Sequence, residues 1–301
     1  MASLRAFGCY LPERVVDNAE IGAAVGADPA WILQATGIEQ RRFAAPDETV
    51  VSLGVRAAQD CLSADIGLIL VSSGSVERRF PGPAAAIGTA LGLGGVPAID
   101  LPLASAGSLF GIALAAQLAG TYRNVLVIAS EIMSRVVRMD PTGRDTAILF
   151  GDGAGACVVG PDDGRSPRVI DAVLHSDGEF AGALALAFDA PLHMDGRTII
   201  LQAARKMPRA IAEVLERNQC RAADVTTFLL HQANLNLLTR VALSLQVPED
   251  RFYRNLHRYG NTSSASVLIA AAEYWRAGPP PGPVVLSAFG AGLNWGAVLL
   301  G

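Results

Sequence analysis

"FGAGLNWGAVLLG", residues 289–301, repeats the pattern of "FGDGAGACVVG", residues 150–160: each reads Phe-Gly-x-Gly and then runs into an apolar, strand-like stretch. The echo extends backwards in both places. Ser105 precedes an Ala-rich run and the stretch "NVLVIAS" (124–130), while Asn261 precedes "TSSASVLIAAAEYWRAG" (262–278) and "PVVLSAF" (283–289). Self-similarity of this kind is the mark of duplication. The chain therefore reads as two similar halves, 1–163 and 164–301, joined through the polar Gly- and Pro-containing stretch "GPDDGRSPR" (160–168). Duplication places Ser105 and Asn261 at equivalent helix starts.

Working outward, short β-rich runs at 66–73, 124–130, 226–231 and 283–289 alternate with helical patterns at 50–62, 83–92, 107–119, 202–218, 234–245 and 263–276. Most of these helical runs are apolar all round, which implies burial on more than one side. Of the 301 residues, 51% are hydrophobic and only 17% charged, as in layered α/β architectures whose strands are covered on both faces. The net charge of −4 comes without a basic face, so nucleic acid is excluded as a partner. Four scattered cysteines without a CxxC and four histidines suggest neither a disulfide framework nor a metal site. The N-terminal stretch lacks an apolar h-region and no run is long enough for a membrane span, so a cytoplasmic protein is expected.

Four stretches carry candidate chemistry. In "DLPLASAGSLFGIALAAQL" (100–118), Ser105 stands where a helix begins, and a capping serine explains it as well as a nucleophile does. "LASAG" lacks the first glycine of the G-x-S-x-G elbow. In "LLHQANLNLL" (229–238), His231 closes an apolar strand at the end where α/β folds place ligands. In "RYGNTSSAS" (258–266), Asn261 opens a Ser-rich helix, and in "AFGAGLNWG" (288–296) small residues let backbone N–H groups approach a developing oxyanion.

Together with "YLPERVVDNAEI" (10–21) and "WILQATGIEQRR" (31–42), these stretches resemble the β-ketoacyl-acyl carrier protein synthase III family over nearly the whole chain. The resemblance implies an α/β thiolase fold, in which two duplicated halves stack as a five-layered α-β-α-β-α sandwich. It implies an acyltransferase that takes an acyl group from acyl-CoA or an acyl carrier protein, with acyl-CoA as substrate and no further cofactor. It carries the catalytic positions onto Ser105, His231 and Asn261, and the oxyanion donors onto the backbone N–H groups of Ser105 and Ala291. Trp31 and Arg144 fall where the family stacks the adenine of coenzyme A, Gly196 and Asn234 where it lines the pantetheine tunnel. Phe80 matches a residue that reaches the acyl pocket from the partner subunit, so a homodimer is expected. Ala35 and Asn236 stand where the family often carries basic residues, and the segment 176–197 is shorter than usual.

The family has cysteine where this chain has Ser105. A serine hydroxyl is far less acidic than a thiol and needs a general base, for which His231 is the candidate. An oxygen ester is also a poorer electrophile for a carbanion than a thioester, which tilts the chemistry towards acyl transfer without forbidding condensation. Three readings of Ser105 stay open from the sequence: a serine nucleophile, a serine substituted by experiment for cysteine, and a non-catalytic position in the partner subunit of a heterodimer.

Overall fold

A computed structural model describes residues 1–62 and 65–301. In chain order the elements are β1 (Ala2–Tyr10), β2 (Arg14–Asp17), α1 (Asn18–Val25), α2 (Pro29–Thr36), β3 (Gln40–Phe43), α3 (Val50–Gln59), β4 (Ile66–Ser72), α4 (Pro83–Ala90), β5 (Ala98–Leu101), α5 (Gly107–Tyr122), β6 (Asn124–Glu131), α6 (Arg144–Ala147) and β7 (Gly153–Pro161). The second half follows with β8 (Arg168–Ser176), β9 (Leu184–Ala185), β10 (His193–Met194), α7 (Gly196–Arg217), β11 (Thr227–Leu230), α8 (Leu235–Leu245), α9 (Leu256–Tyr259), α10 (Ser266–Arg276), β12 (Val284–Gly290) and β13 (Asn294–Leu300).

The strand order explains the sequence echo. The first half runs β5-β4-β6-β7-β1 and the second runs β11-β12-β13-β8, the two meeting where Ala2 and Ser3 of β1 pair with Val169 and Arg168 of β8. Strand by strand the two halves correspond: β4 is parallel to β6 as β11 is to β12, and β6 antiparallel to β7 as β12 is to β13. The counterpart of β5 is reduced to one parallel bridge between Phe228 and Phe252. The Phe-Gly-x-Gly stretches lead into β7 and β13, the equivalent strands of each half.

Five layers result. α3 and α4 cover the outer face of the first half-sheet, α5 and α10 lie between the half-sheets, and α7 packs on β13 and β12 with α8 beside it. β4, β6 and β12 are largely apolar because both of their faces are buried. Val125, Val127 and Ala129 of β6 enter the central core while Leu126 and Ile128 enter the outer one, as the two-residue period of a strand requires. α5 is largely buried in the central layer but exposes Leu114 and Gln117, while α7 and α8 keep an exposed face that includes Leu201 and Leu243. A third packing unit, β2 and β3 with α1 and α2, closes over Phe150 through its own apolar cluster.

The expected helices and strands are present, with two shifts. α7 begins six residues earlier than the helical pattern suggests, at Gly196, where the Asp195 carboxylate accepts the Thr198 N–H. The run from 263 splits into a single 3-10 turn, Ser263–Ala265, and α10. Among the described residues no helix is long and apolar enough to cross a membrane, and no cluster of three His, Cys, Asp or Glu is placed to hold a metal.

Candidate active site

Ser105 is not a helix cap. The N-cap of α5 is Ala106, which makes no side-chain capping bond, and Ser105 sits one residue earlier in a turn with φ +60°. The turn between β5 and α5 is therefore a sharp elbow despite lacking the first glycine of the G-x-S-x-G pattern. It is held by the Ala106 N–H donating to Ala104 O at 2.7 Å, and by Gly290, where any Cβ would lie 2.1 Å from Ala104 O. Only glycine lets the 288–296 loop close onto this turn. Ser105 is buried, with its side chain at the N-terminal end of α5, where the helix dipole favours developing negative charge.

His231 follows directly on β11, and its main-chain N–H donates to Ser287 O of β12 at 2.8 Å. Burial pushes its imidazole down to about 4, so the ring is neutral at physiological pH. Nδ1 lies 2.6 Å from the Ser266 hydroxyl, which also accepts the Gln232 N–H at 3.3 Å. The other ring nitrogen is left for the cavity. Asn261 is fixed by its main chain, bridged to Phe150, and by its Oδ1, which accepts the Ser263 N–H at 2.9 Å. That bond assigns the amide orientation and turns Nδ2 outward as a donor.

Ser105, His231 and Asn261, drawn from three distant parts of the chain, line one narrow cavity of about 70 Å³. Asn234 and Gly196 line it as well, with Phe150, Met194 and Ala203 among its apolar walls. All four cysteines are free, and among the described residues none lines this cavity, so no thiol stands in for Ser105. Asn234 caps α8 by accepting the Asn236 N–H at 2.8 Å and donates to Ala35 O at 3.1 Å; Asn236 Nδ2 donates to the same carbonyl at 3.1 Å. The two positions where basic residues were expected, 35 and 236, are thus in direct contact.

The other candidate residues lie elsewhere. Ala291 lines a larger neighbouring cavity of about 600 Å³, next to Ala104, while the Ser105 N–H is already engaged by the Ser263 hydroxyl at 3.1 Å. The guanidinium of Arg144 stands over the Trp31 ring at 5.3 Å, which leaves no room for a base between them: the pair is closed on itself. Phe80 is 84% exposed, on the surface segment ahead of α4. The equivalence of Ser105 and Asn261 also needs correcting, because the residue that repeats the left-handed conformation of Ser105 ahead of a central helix is Ser263, with φ +48°.

Two acids that are fully buried, Glu131 and Asp152, escaped the sequence reading. Glu131, at the end of β6, accepts from Ser75 Oγ at 2.6 Å, Ser264 Oγ at 2.6 Å and the Gly74 N–H at 3.0 Å, tying the loop after β4 to the turn that carries Asn261. Asp152 accepts from Ser134 and the Ala44 N–H, and burial raises its carboxyl. The only signal was an acid placed directly against an apolar strand.

Residues 99–178 match the model of 3-oxoacyl-[acyl-carrier-protein] synthase III, and residues 215–301 match that of its C-terminal part. The chain is 38% identical to the β-ketoacyl-[acyl-carrier-protein] synthase III of Oleidesulfovibrio alaskensis, over 98% of this chain and 97% of that one. It is 36% identical to a β-ketoacyl-[acyl-carrier-protein] synthase III of Vibrio vulnificus, over 97% of each. Among solved structures, the 3-oxoacyl-[acyl-carrier-protein] synthase III of Aquifex aeolicus superimposes with a TM-score of 0.95 at 32% identity, covering 100% of this chain and 99% of that one. A priming β-ketosynthase from a polyketide biosynthetic pathway does so with a TM-score of 0.92 at 34% identity, covering 99% and 96%. The duplicated five-layered fold, the constellation around Ser105 and these likenesses agree: the chain belongs to the 3-oxoacyl-[acyl-carrier-protein] synthase III family of acyltransferases.

Proposed function

We propose that this chain takes an acyl group from acyl-CoA or an acyl carrier protein onto Ser105 as an oxygen ester. It then passes that group on by decarboxylative condensation with a malonyl thioester, or to an oxygen, nitrogen or sulfur acceptor, in fatty-acyl or polyketide-type biosynthesis. The observation that carries the reading is the meeting of Ser105, His231 and Asn261 around one cavity at the start of α5. In acylation, His231 Nε2 takes the Ser105 hydroxyl proton as Oγ bonds the acyl carbon. The carbon–sulfur bond breaks, and the departing thiolate receives that proton. In condensation, the malonyl thioester loses carbon dioxide, and its enolate oxygen accepts from His231 Nε2–H and Asn261 Nδ2–H. The enolate carbon then attacks the ester carbonyl, and Ser105 Oγ leaves as it takes the proton from His231 Nε2, which a proton from solvent replaces.

These half-reactions ask opposite things of His231: a lone pair on Nε2 in the first, a hydrogen there in the second. Its Nδ1 partner is suited to both. A carboxylate or carbonyl would fix Nδ1–H permanently, whereas the Ser266 hydroxyl donates to Nδ1 or accepts from it by rotating. The larger cavity beside Ala104 and Ala291 is where the acyl chain would extend, walled on one side by Leu186 and Phe188 of the short 176–197 segment. Exposed Phe80 favours a second copy of the chain covering this side. Trp31 and Arg144 would part to admit the adenine of coenzyme A.

The test is a two-stage assay. The chain is loaded with a short acyl-CoA and then given malonyl-acyl carrier protein. A β-keto product supports condensation. A transferred acyl group without carbon dioxide release supports transfer to an oxygen, nitrogen or sulfur acceptor, and the absence of both products overturns the proposal.

A further inference from the structure

Among the described residues, five that are not glycine have positive φ: Ser105, Arg123, Gln219, Gln246 and Ser263. Three need no explanation beyond local chain geometry. Arg123 and Gln246 are the C-caps of α5 and α8, and Gln219 directly follows the C-cap of α7, the places where a left-handed residue ends a helix. The two serines are different: both lie ahead of helices, both are buried, and both start the helices of the central layer. Strained backbone that a helix end does not account for is found where a site has been arranged.

The two strained serines are also bonded to each other. Ser263 Oγ accepts the Ser105 N–H at 3.1 Å, and the Ser263 N–H donates to Asn261 Oδ1 at 2.9 Å. One residue thus holds the main chain of the acyl acceptor with its side chain and the amide of Asn261 with its backbone. Its own conformation is imposed from the far side, since the next residue, Ser264, donates to the buried Glu131 through Oγ at 2.6 Å and through N–H at 3.3 Å. Glu131 belongs to the first half of the chain and Ser264 to the second, so the strained turn is clamped across the central layer.

We infer that Ser263 is a positioning residue for Ser105: its hydroxyl holds the elbow at positive φ and keeps the residue 105 side chain over the N-terminal end of α5. Glycine at 263 separates this role from mere folding. It accepts φ +48° without strain and keeps the N–H that orients Asn261, but lacks the hydroxyl. The inference rests on Ser105 as the acyl acceptor, so it is tested in two backgrounds. In the native chain, Ser263→Gly should slow acylation of residue 105 by a short acyl-CoA by about 10- to 100-fold, as loss of alignment at a reacting group does. KM for the acyl-CoA should be unchanged, and the fold should persist, the lost buried hydrogen bond being offset in part by relief of strain at φ +48°.

In a Ser105→Cys chain, alkylation of residue 105 by iodoacetamide is followed against pH and located by peptide mass. Adding Ser263→Gly should move the rate profile to higher pH, because a thiol released from the helix terminus loses its stabilised thiolate. An unmoved profile overturns the inference, whatever the native chain does. A moved profile combined with no acyl adduct on the native chain supports the inference and instead overturns Ser105 as nucleophile.

Discussion

His231 Nδ1 lies 2.6 Å from the hydroxyl of Ser266, the first residue of α10, with both groups buried. A neutral imidazole paired with a hydroxyl rather than with an acid is free to hold its hydrogen on either nitrogen. Ser266→Ala removes the hydroxyl that Nδ1 meets and leaves a buried ring nitrogen unpaired, a loss of about 1–3 kcal/mol. Both acylation by acyl-CoA and decarboxylation of a malonyl thioester should fall by about ten-fold or more, measured separately by adduct formation and carbon dioxide release. A variant slowed in one half-reaction alone would show that His231 keeps a single tautomer.

Stability should fall on the acid side because of the same residue. Burial holds the folded imidazole near 4, while in the unfolded chain it titrates near 6.5. Between those values the unfolded chain binds a proton that the folded chain does not. This contribution is therefore complete above about pH 6.5, is lost as pH falls towards 4, and is constant below. At about 1.4 kcal/mol per unit, the native chain should lose up to roughly 3 kcal/mol more than His231→Asn over that interval in urea titrations. Parallel curves for the two chains would refute the assignment.

Asn261→Asp keeps the oxygen that accepts the Ser263 N–H and replaces the donor facing the cavity. Decarboxylation of a malonyl thioester should drop about 10²- to 10³-fold, the loss typical of a missing oxyanion donor. Unchanged carbon dioxide release would remove Asn261 from that role.

Glu131 accepts hydrogen bonds from the buried Ser73, Ser75 and Ser264 and from the half-buried Gly74. Glu131→Ala leaves these donors without an acceptor and opens a void, and should destabilise the chain by about 3–5 kcal/mol. Chemical denaturation reads this directly; a loss under about 1 kcal/mol would mean that the loops are held by other contacts.

The Trp31–Arg144 contact at 5.3 Å should be broken by coenzyme A. Adding acyl-CoA should change Trp31 fluorescence, and Arg144→Ala should raise KM for acyl-CoA several-fold with kcat unchanged, in keeping with about 0.5–1 kcal/mol for an exposed cation–π contact. A KM that does not respond would place the nucleotide elsewhere.

Much of this was legible in the sequence because duplication leaves the same period twice. The apolar runs at 124–130 and 283–289 became β6 and β12, and both are buried on two faces, the condition that makes a strand continuously apolar. His231 was legible as a polar residue set directly against such a run, and Asn261 as the residue that opens a Ser-rich helix. The elbow at Ser105 was not, because left-handed backbone is usually announced by glycine and here is enforced by tertiary bonds to the Ser263 turn. For the same reason Ser263 was hidden behind Asn261 as the counterpart of Ser105. The closed Trp31–Arg144 pair depends on how α2 meets α6, and the Ala35–Asn236 contact on how α2 meets α8, packings that no local pattern encodes.

The central claim is that residue 105 carries the acyl group on oxygen. Intact-mass measurement after incubation with a short acyl-CoA, followed by peptide mapping, tests it most directly. The account predicts one acyl adduct per chain, located on Ser105, stable to hydroxylamine at neutral pH as an oxygen ester is, and absent from Ser105→Ala. No adduct, or an adduct that persists in Ser105→Ala, would contradict it.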